Sequence, residues 1–202
     1  LQSKAERELR KLWSNQDPRL RARALHLLAR VKGSEKKYVD LAIKDADPNL
    51  RAAGLRIARE RKLDVIPYVQ RLVKDSSAQV RRECAVALRH NYSPGAPKLW
   101  AQLALQHDGT DRWYLEALGI AADKQWDTYL DAWLALAGDK WNSPAGRDIV
   151  WRSRSSKTPG LLVKLVQDKT TIAPERDRLM RAFDFQTGPE KEAALLELIS
   201  AK

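Results

Sequence analysis

Tryptophan, arginine and other polar side chains crowd the segment 141–154, the densest polar and aromatic group in the chain. Trp141 and Trp151 offer flat apolar surfaces on which a sugar ring, a peptide side chain or a nucleobase can stack. The polar candidates for holding such a ligand are Asn142, Arg147, Asp148, Arg152 and Arg154. We favour the alternative that Trp141 packs a loop and Arg147 pairs with Asp148, because aromatic side chains at helix junctions usually pack.

A second set of candidate binding residues is basic and belongs to the first half of the chain. The net charge is +11, and residues 1–100 hold the whole excess, with 23 Lys+Arg against 11 Asp+Glu. Such a half attracts nucleic acid, anionic lipid or an acidic protein, although a solvated helical surface has the same composition. The candidates for a basic surface are the cations that do not recur in register: Arg19, Arg23, Arg56, Arg59, Arg61, Lys62 and Arg82.

Three arginines do recur, at a constant spacing of 30 residues: Arg21, Arg51 and Arg81. Such a column can bind phosphates as a basic stripe. The constant register instead favours a structural ladder, in which each arginine binds an aspartate or a loop carbonyl of the adjacent repeat. We assign Asp17 and Asp47 to the same ladder.

The sequence carries no recognisable pattern for catalysis or metal binding. His26, His90 and His107 do not have the spacing of a ligand set, and the single Cys84 makes neither an internal disulfide nor a zinc site. Cys84 takes the place of a small residue in the repeat, so we expect it to be buried and unreactive. Nucleophile-elbow, phosphate-loop and dinucleotide-binding signatures do not occur. We therefore expect no catalytic residue, metal or cofactor in this segment.

The same repeat predicts the elements that must position these residues. Asp17-Pro18 returns as Asp47-Pro48, and a looser copy begins at Ser77. Aspartate is a preferred N-cap and proline a preferred first helical residue, so each copy predicts a helix start. Apolar or small residues follow at spacings of 0, 4, 7 and 8 residues, which places them on one helix face. A period of 30 residues is typical of stacked helix pairs.

The remaining helices are predicted from the apolar pattern between and after these copies. Partner helices are expected near 35–44 and 64–74. In a fourth, degenerate repeat, Trp113 takes the position of a core residue, so we expect its side chain to be buried. Later helices are expected at 95–107, 126–137, about 143–154, 159–168, 174–185 and 189–201. No stretch alternates like a strand. We predict an all-α fold, a right-handed α-solenoid of four to six helix pairs. Residues 1–122 form its basic repeats, and 123–202 form degenerate repeats with a C-terminal cap, continuous with the first part.

The repeated D-P-x-[LV]-R-x-x-[AG] opening resembles HEAT repeats of the short kind, with about 30 residues each. The resemblance covers about residues 15–122. It implies an α-solenoid in which the recurrent Asp and Arg side chains form ladders between adjacent repeats.

The later strings 108–119 and 141–154 resemble the HEAT segment of large exported bacterial membrane-bound dehydrogenase-like or haem-binding proteins. Those proteins join a β-propeller, a HEAT region and a cytochrome with a C-x-x-C-H motif. This chain has neither a propeller pattern nor that motif. The resemblance therefore implies a connecting or docking segment of an exported parent protein.

The sequence thus favours a non-catalytic interaction or scaffold module that binds a protein partner or neighbouring domains of its parent. The alternative is a nucleic-acid-binding protein of the HEAT-like DNA glycosylase type for alkylated bases, suggested by the basic half. A glycan-binding site around Trp141 and Trp151 is a third hypothesis. No apolar run is long enough to predict a membrane span.

Overall fold

The computed structural model describes residues 2–200, and the side chains of residues 4–200. Thirteen α-helices and two short 3₁₀ turns occupy these residues, and none of them forms a strand, which confirms the predicted all-α class. The helices are α1 (Gln2–Trp13), α2 (Pro18–Leu28), α3 (Glu35–Ala42), α4 (Pro48–Glu60), α5 (Ile66–Leu72), α6 (Ala78–Ala87), α7 (Ala96–Ala104), α8 (Arg112–Ala121), α9 (Trp126–Ala137), α10 (Pro144–Arg152), α11 (Thr158–Gln167), α12 (Ala173–Ala182) and α13 (Pro189–Ser200). The 3₁₀ turns are Gly138–Asn142 and Phe183–Phe185.

The chain divides into two compact units, Leu1–Ser93 and Pro94–Lys202. We call them the N-terminal unit, with α1 to α6, and the C-terminal unit, with α7 to α13. The division predicted after residue 122 falls inside the C-terminal unit, because α8 packs with α7 and α10.

Helices α2, α4 and α6 carry the repeat of the N-terminal unit, and their first residues are 30 apart. Asp17 and Asp47 cap α2 and α4 through their side chains, and a proline follows each cap, as the sequence predicts. Helix α4 packs against both α2 and α6, while α1, α3 and α5 each pair with the helix that follows. The unit therefore has a layer of three repeated helices with a partner helix for each.

Small residues allow the helices of this unit to approach closely. Gly54 of α4 faces α3, and a Cβ at this position would lie 2.9 Å from Cβ of Ala42. Ala24 and Cys84, at the same repeat position, are fully buried. The predicted apolar stripe of α2 consists of Leu20, Ala24, Leu27 and Leu28. Leu27 is half exposed, whereas its equivalent Ile57 is buried, because α2 has a layer neighbour on one side only.

Helix α1, which precedes Asp17 and was not predicted from the sequence, packs on α2. Trp13 at its end makes an edge contact with Tyr38, with ring centroids 6.4 Å apart. The Arg21 guanidinium lies 5.3 Å from the centre of the Trp13 ring. Helix α1 thus supplies α2 with the partner that α3 and α5 supply to α4 and α6.

Aromatic side chains form the core of the C-terminal unit. Trp100 is fully buried, lies 5.5 Å from Tyr129 between ring centroids, and donates its indole N–H to the carbonyl oxygen of Leu118 at 3.0 Å. Such a donor needs a partner when buried. Trp113, by contrast, is 74% exposed, so its placement in the core was wrong. Helix α8 buries Tyr114 and Leu115 instead, which turns the Trp113 side chain toward solvent.

Candidate functional site

Arginine–aspartate pairs link successive repeats of the N-terminal unit. Arg51 binds Asp75 with two parallel hydrogen bonds, Nε to Oδ2 at 2.7 Å and Nη2 to Oδ1 at 2.8 Å. Its Nη1 donates to the carbonyl oxygen of Asp45 at 2.8 Å. Arg21 pairs with Asp45 through one contact, Nη2 to Oδ2, and Arg81 donates to the carbonyl oxygen of Asp75 at 2.7 Å. Arg51 and Arg81 therefore bind the loop before their own helix, and Arg21 and Arg51 bind an aspartate in the loop before the next repeated helix.

The aspartates that complete this ladder are not the ones named from the sequence. The side chains of Asp17 and Asp47 accept from the backbone N–H of Arg19 and Asn49, both at 2.8 Å, and so serve as caps. Asp45 and Asp75 hold the arginines instead. Burial alone raises the pKa of Asp75, but hydrogen bonds from Arg51 and from the Ser77 backbone outweigh it and keep that pKa below its usual value.

Five arginines of the predicted basic surface lie on α2, α4 and α6. Arg19 and Arg23 are exposed on α2, Arg56 and Arg59 are exposed on α4, and Arg82 of α6 is partly buried. Glu83 of α6 binds Arg56 at 2.7 Å and lies 3.9 Å from Arg59. We call the five arginines Arg19, Arg23, Arg56, Arg59 and Arg82 the basic face. Arg61 and Lys62 follow α4 and are exposed, and Lys62 has a positive φ of 55°.

Arg147, a predicted ligand-binding residue, is instead a buried member of a second ladder. Its Nη2 binds Asp168 at 3.1 Å and its Nη1 binds Glu175 at 3.0 Å. Its Nε donates to the side-chain oxygen of Asn142 at 2.8 Å. Arg147 stands four residues after the cap Ser143, as Arg51 does after Asp47. The Ser143-Pro144-x-x-Arg147 spacing is the signal that sequence reasoning missed.

Asp148 does not pair with Arg147 but with His107 and Arg178. His107 Nε2 lies 3.1 Å from Asp148 Oδ2, and Arg178 Nη1 lies 2.7 Å from Asp148 Oδ1. The Arg178 guanidinium also lies 4.5 Å from the centre of the Trp151 ring. Burial raises the pKa of Asp148, but the hydrogen bonds from His107 and Arg178 outweigh it and lower that pKa below its usual value.

The other members of the 141–154 cluster are also held by internal contacts. Arg152 binds Glu116 at 3.0 Å between Nε and Oε2. Arg154 lies 4.9 Å from the centre of the Phe185 ring and donates to the carbonyl oxygen of Ser153 at 2.6 Å. Burial, with the nearby charge of Arg152, lowers the pKa of Arg154 to about 10. Trp141 and Asn142 are partly buried.

These contacts place the cluster in the framework of the C-terminal unit and bring two unpredicted residues into it. His107 and Arg178 are far from Asp148 in sequence, and no spacing rule connects them. Cys84 is buried, and burial raises the pKa of its thiol, as expected for an unreactive packing residue.

Within residues 2–200, no three His, Cys, Asp or Glu side chains converge as metal ligands. No helix in this part of the chain is long and apolar enough to cross a membrane. Comparisons with protein-family models, with curated proteins and with solved structures gave no match for the chain.

Proposed function

We propose that this chain is a non-catalytic interaction module built from HEAT-like helix pairs stacked as a right-handed α-solenoid. The observation that carries the proposal is the ladder of Arg21–Asp45 and Arg51–Asp75, which repeats one contact at one spacing. A contact that recurs in register fixes how each pair stacks on the next and gives a rigid surface. Charges used in the ladder are not available to a partner, so the partner surface consists of other residues.

The basic face is the surface that we assign to the partner. Arg19, Arg23, Arg56 and Arg59 are exposed on neighbouring helices. The exposed Leu27 lies on the same helix as Arg19 and Arg23 and adds apolar contact area. The nearby acidic side chain Glu83 is buried, so it holds two arginines without projecting negative charge outward. We propose that an acidic protein segment, from a separate partner or from a neighbouring domain, binds here.

A protein partner fits this face better than nucleic acid does. Glu83 already shares Arg56 and Arg59, which leaves a modest positive excess. Nucleic-acid binding draws on many phosphate contacts, commonly with aromatic side chains for single strands. No aromatic residue occurs in the sequences of α2, α4 and α6. The glycosylase-type alternative remains the second candidate, since its basic half is the same surface.

The test measures fluorescence anisotropy of a labelled glutamate-rich peptide and of a labelled DNA duplex, each at two salt concentrations. The double variant Arg23→Gln/Arg59→Gln removes two exposed cations from the basic face. We expect the peptide to bind the wild type, more weakly at high salt, and to lose about tenfold in affinity to the double variant.

The matched control is Lys98→Gln/Lys164→Gln, which removes the same charge from exposed sites in the C-terminal unit. It should leave peptide affinity within about twofold of the wild type. Equal losses in both double variants would show attraction by net charge alone and would refute the basic face. Duplex binding that exceeds peptide binding and is lost in Arg23→Gln/Arg59→Gln would establish the nucleic-acid alternative instead.

We further propose that the chain is a connecting segment of an exported dehydrogenase-like protein. The proposal rests on the strings 108–119 and 141–154. Sequencing the gene on both sides tests it: a propeller pattern before and a C-x-x-C-H motif after this segment are expected, and flanks that lack both would overturn it.

A further inference from the structure

A groove of the C-terminal unit runs along α11 and α13, two helices that pack against each other, and it shares no residue with the basic face. Its volume is about 540 Å³. On the α11 side it is lined by Lys157, Gly160, Leu161 and Lys164. These positions have the spacing of one helix face. The α11 side thus has a lysine at each end, with a glycine and a leucine between them.

The α13 side repeats this arrangement with the opposite charge. Glu190 and Glu197 stand at its ends, and Ala193 and Ala194 lie between them. Seven residues of α-helix span about 10 Å, so each row is about two turns long. A row of lysines and a row of glutamates therefore border one floor of small and apolar side chains.

The charges of the two rows do not neutralise each other. Lys157 binds Asp131 of α9 at 2.6 Å rather than a glutamate of α13. Lys164, Glu190 and Glu197 are exposed, and none of these three makes an ion pair within residues 4–200. Three charged side chains that line the groove are therefore available to a partner.

The floor of the groove is open above Gly160. A Cβ at this position would meet no atom within 4 Å beyond its own helix backbone. The groove between α3 and α5 of the N-terminal unit differs, because Pro67 and Tyr68 line it and its Lys36 binds Asp40 at 2.7 Å. The α11–α13 groove thus combines an open floor with unpaired charges.

We propose that this groove binds an amphipathic α-helix of a partner protein, with acidic residues along one flank and basic residues along the other. Small and apolar residues of that helix pack on Gly160, Leu161 and Ala193, where short side chains let helix axes approach to about 8–10 Å. Its acidic flank meets Lys164, and its basic flank meets Glu190 and Glu197. Because each row has the seven-residue spacing of a helix, one incoming helix can match both rows at once.

This helix differs in charge from the acidic segment proposed for the basic face. A uniformly acidic segment would meet Lys164 but would be repelled by Glu190 and Glu197. A uniformly basic segment would be repelled by Lys157 and Lys164. Repulsion of the wrong partner is a source of specificity. The groove therefore selects a helix that carries both charges on separate flanks.

The test follows the amide ¹⁵N resonances of the full chain by NMR while a peptide of about 18 residues is added, long enough to form a helix. The peptide is an alanine–leucine helix with glutamate at every seventh position along one flank and lysine along the other. We expect saturable shifts in 156–164 and 190–197, with a dissociation constant of about 100 μM or below. A peptide of scrambled order should bind at least about tenfold more weakly, because it cannot present two flanks.

Two variants locate the binding. Glu190→Gln/Glu197→Gln should weaken the peptide by about fivefold, because it removes the contacts with the lysine flank. The matched control Asp177→Asn/Glu192→Gln removes the same charge from exposed sites outside the lining and should stay within about twofold of the wild type. Gly160→Leu fills the floor and should abolish the shifts in a protein whose remaining spectrum is native.

Four results would overturn the proposal. The first is the absence of shifts in 156–164 and 190–197, and the second is unaltered peptide binding in Gly160→Leu. Equal losses in the two double variants would show attraction by net charge alone. Sedimentation velocity of the chain without peptide gives the fourth: a dimer that Gly160→Leu dissociates would make the groove an interface between copies of this chain.

Discussion

The two compact units use the same arginine position with different partners. In the N-terminal unit Arg51 binds Asp75 through two parallel bonds, and 30 residues earlier Arg21 binds Asp45 through a single contact. In the C-terminal unit Arg147 divides its bonds among Asp168, Glu175 and Asn142. A regular repeat can rely on a single partner at a fixed separation. In the C-terminal unit a loop residue, a residue of the first turn of α12 and a residue of a 3₁₀ turn together take over the same task.

The core of the N-terminal unit is also more regular than the core of the C-terminal unit. Ala24, Gly54 and Cys84 occupy one register in the N-terminal unit and let the helices approach closely. Trp100, Tyr129 and Trp133 fill the C-terminal unit with large rings. Large rings pack against unequal neighbours and leave irregular space beside them, and a small cavity next to His107 has Trp133 in its wall. Regular packing thus aligns the repeated helices, and irregular packing leaves a small cavity between helices.

The largest effect is expected from removing a ladder arginine. The comparison between the units tests whether the loss in free energy of unfolding depends on the number of bonds removed or on the exposure of the carboxylate left behind. Arg51→Met leaves Asp75 without its arginine, and the Asp75 side chain is 7% exposed. Arg147→Met leaves Asp168 and Glu175 without theirs, and these side chains are 22% and 28% exposed. Water can reach the second pair. We expect losses in free energy of unfolding of about 3 kcal/mol for Arg51→Met and about 2 kcal/mol for Arg147→Met, despite its greater number of bonds.

Amide hydrogen exchange measured separately in α4 and α10 reports these losses, because exchange reads the opening free energy of each helix at its own residues. Arg51→Lys keeps the charge but loses the parallel bonds, so it should recover about half of the loss. Arg181→Met, at an exposed site on α12, is the surface control and should stay within about 0.5 kcal/mol of the wild type. A larger loss in Arg147→Met than in Arg51→Met would show that bond number dominates.

Two glycine-to-alanine substitutions, one in each unit, compare how tightly the units pack around an added methyl group. A Cβ on Gly146 would lie 2.3 Å from the backbone oxygen of Trp141, which cannot move without moving the loop. A Cβ on Gly54 would meet Cβ of Ala42 at 2.9 Å, and alanine also favours the helix. We expect Gly146→Ala to cost about 2 kcal/mol and Gly54→Ala about 1 kcal/mol.

Urea denaturation measures the change in free energy of unfolding for each substitution, provided that the m-value is unchanged. Gly160→Ala on α11 is the control, because a Cβ there meets no atom within 4 Å. It should stabilise the protein by a few tenths of a kcal/mol. Equal costs at Gly54 and Gly146 would contradict a looser contact in the N-terminal unit.

The sequence was sufficient for helices α2 to α13 and for the arginines of the N-terminal ladder, but not for α1 or for the role of Arg147. Caps at Asp17 and Asp47 and the start of α9 at Trp126 follow from local rules that act over a few residues. Partner choice does not, because Asp45 and Asp75 lie 24 residues beyond their arginines, and the loop of Asp45 also contains Asp47. The His107–Asp148 pair spans 41 residues and has no local pattern at all. The exposure of Trp113 depends on which face of α8 is buried, and this face carries Tyr114 and Leu115.

The smallest expected effect concerns how each unit holds its ladder aspartate in the charged state. Hydrogen bonds from the Thr170 backbone and hydroxyl, with one from Asn142, lower the pKa of Asp168 to about 2. The free aspartate titrates near 3.9, so this carboxylate adds stability above about pH 4 that is lost as pH falls toward 2. Thr170→Val removes the hydroxyl and should raise the pKa of Asp168, whereas Arg147→Met should change it little.

Asp75 should behave in the opposite way, because Arg51 supplies its main stabilising bonds, so Arg51→Met should raise the pKa of Asp75 strongly. Carboxyl ¹³C NMR across pH 2–6 measures both groups in one experiment. Thr110→Val is the matched control: it should raise only the pKa of Asp108, which Thr110 holds at about 2. If Arg147→Met raised the pKa of Asp168 as much as Arg51→Met raises that of Asp75, the two ladders would share one electrostatic origin. The difference between the units would then lie in geometry alone.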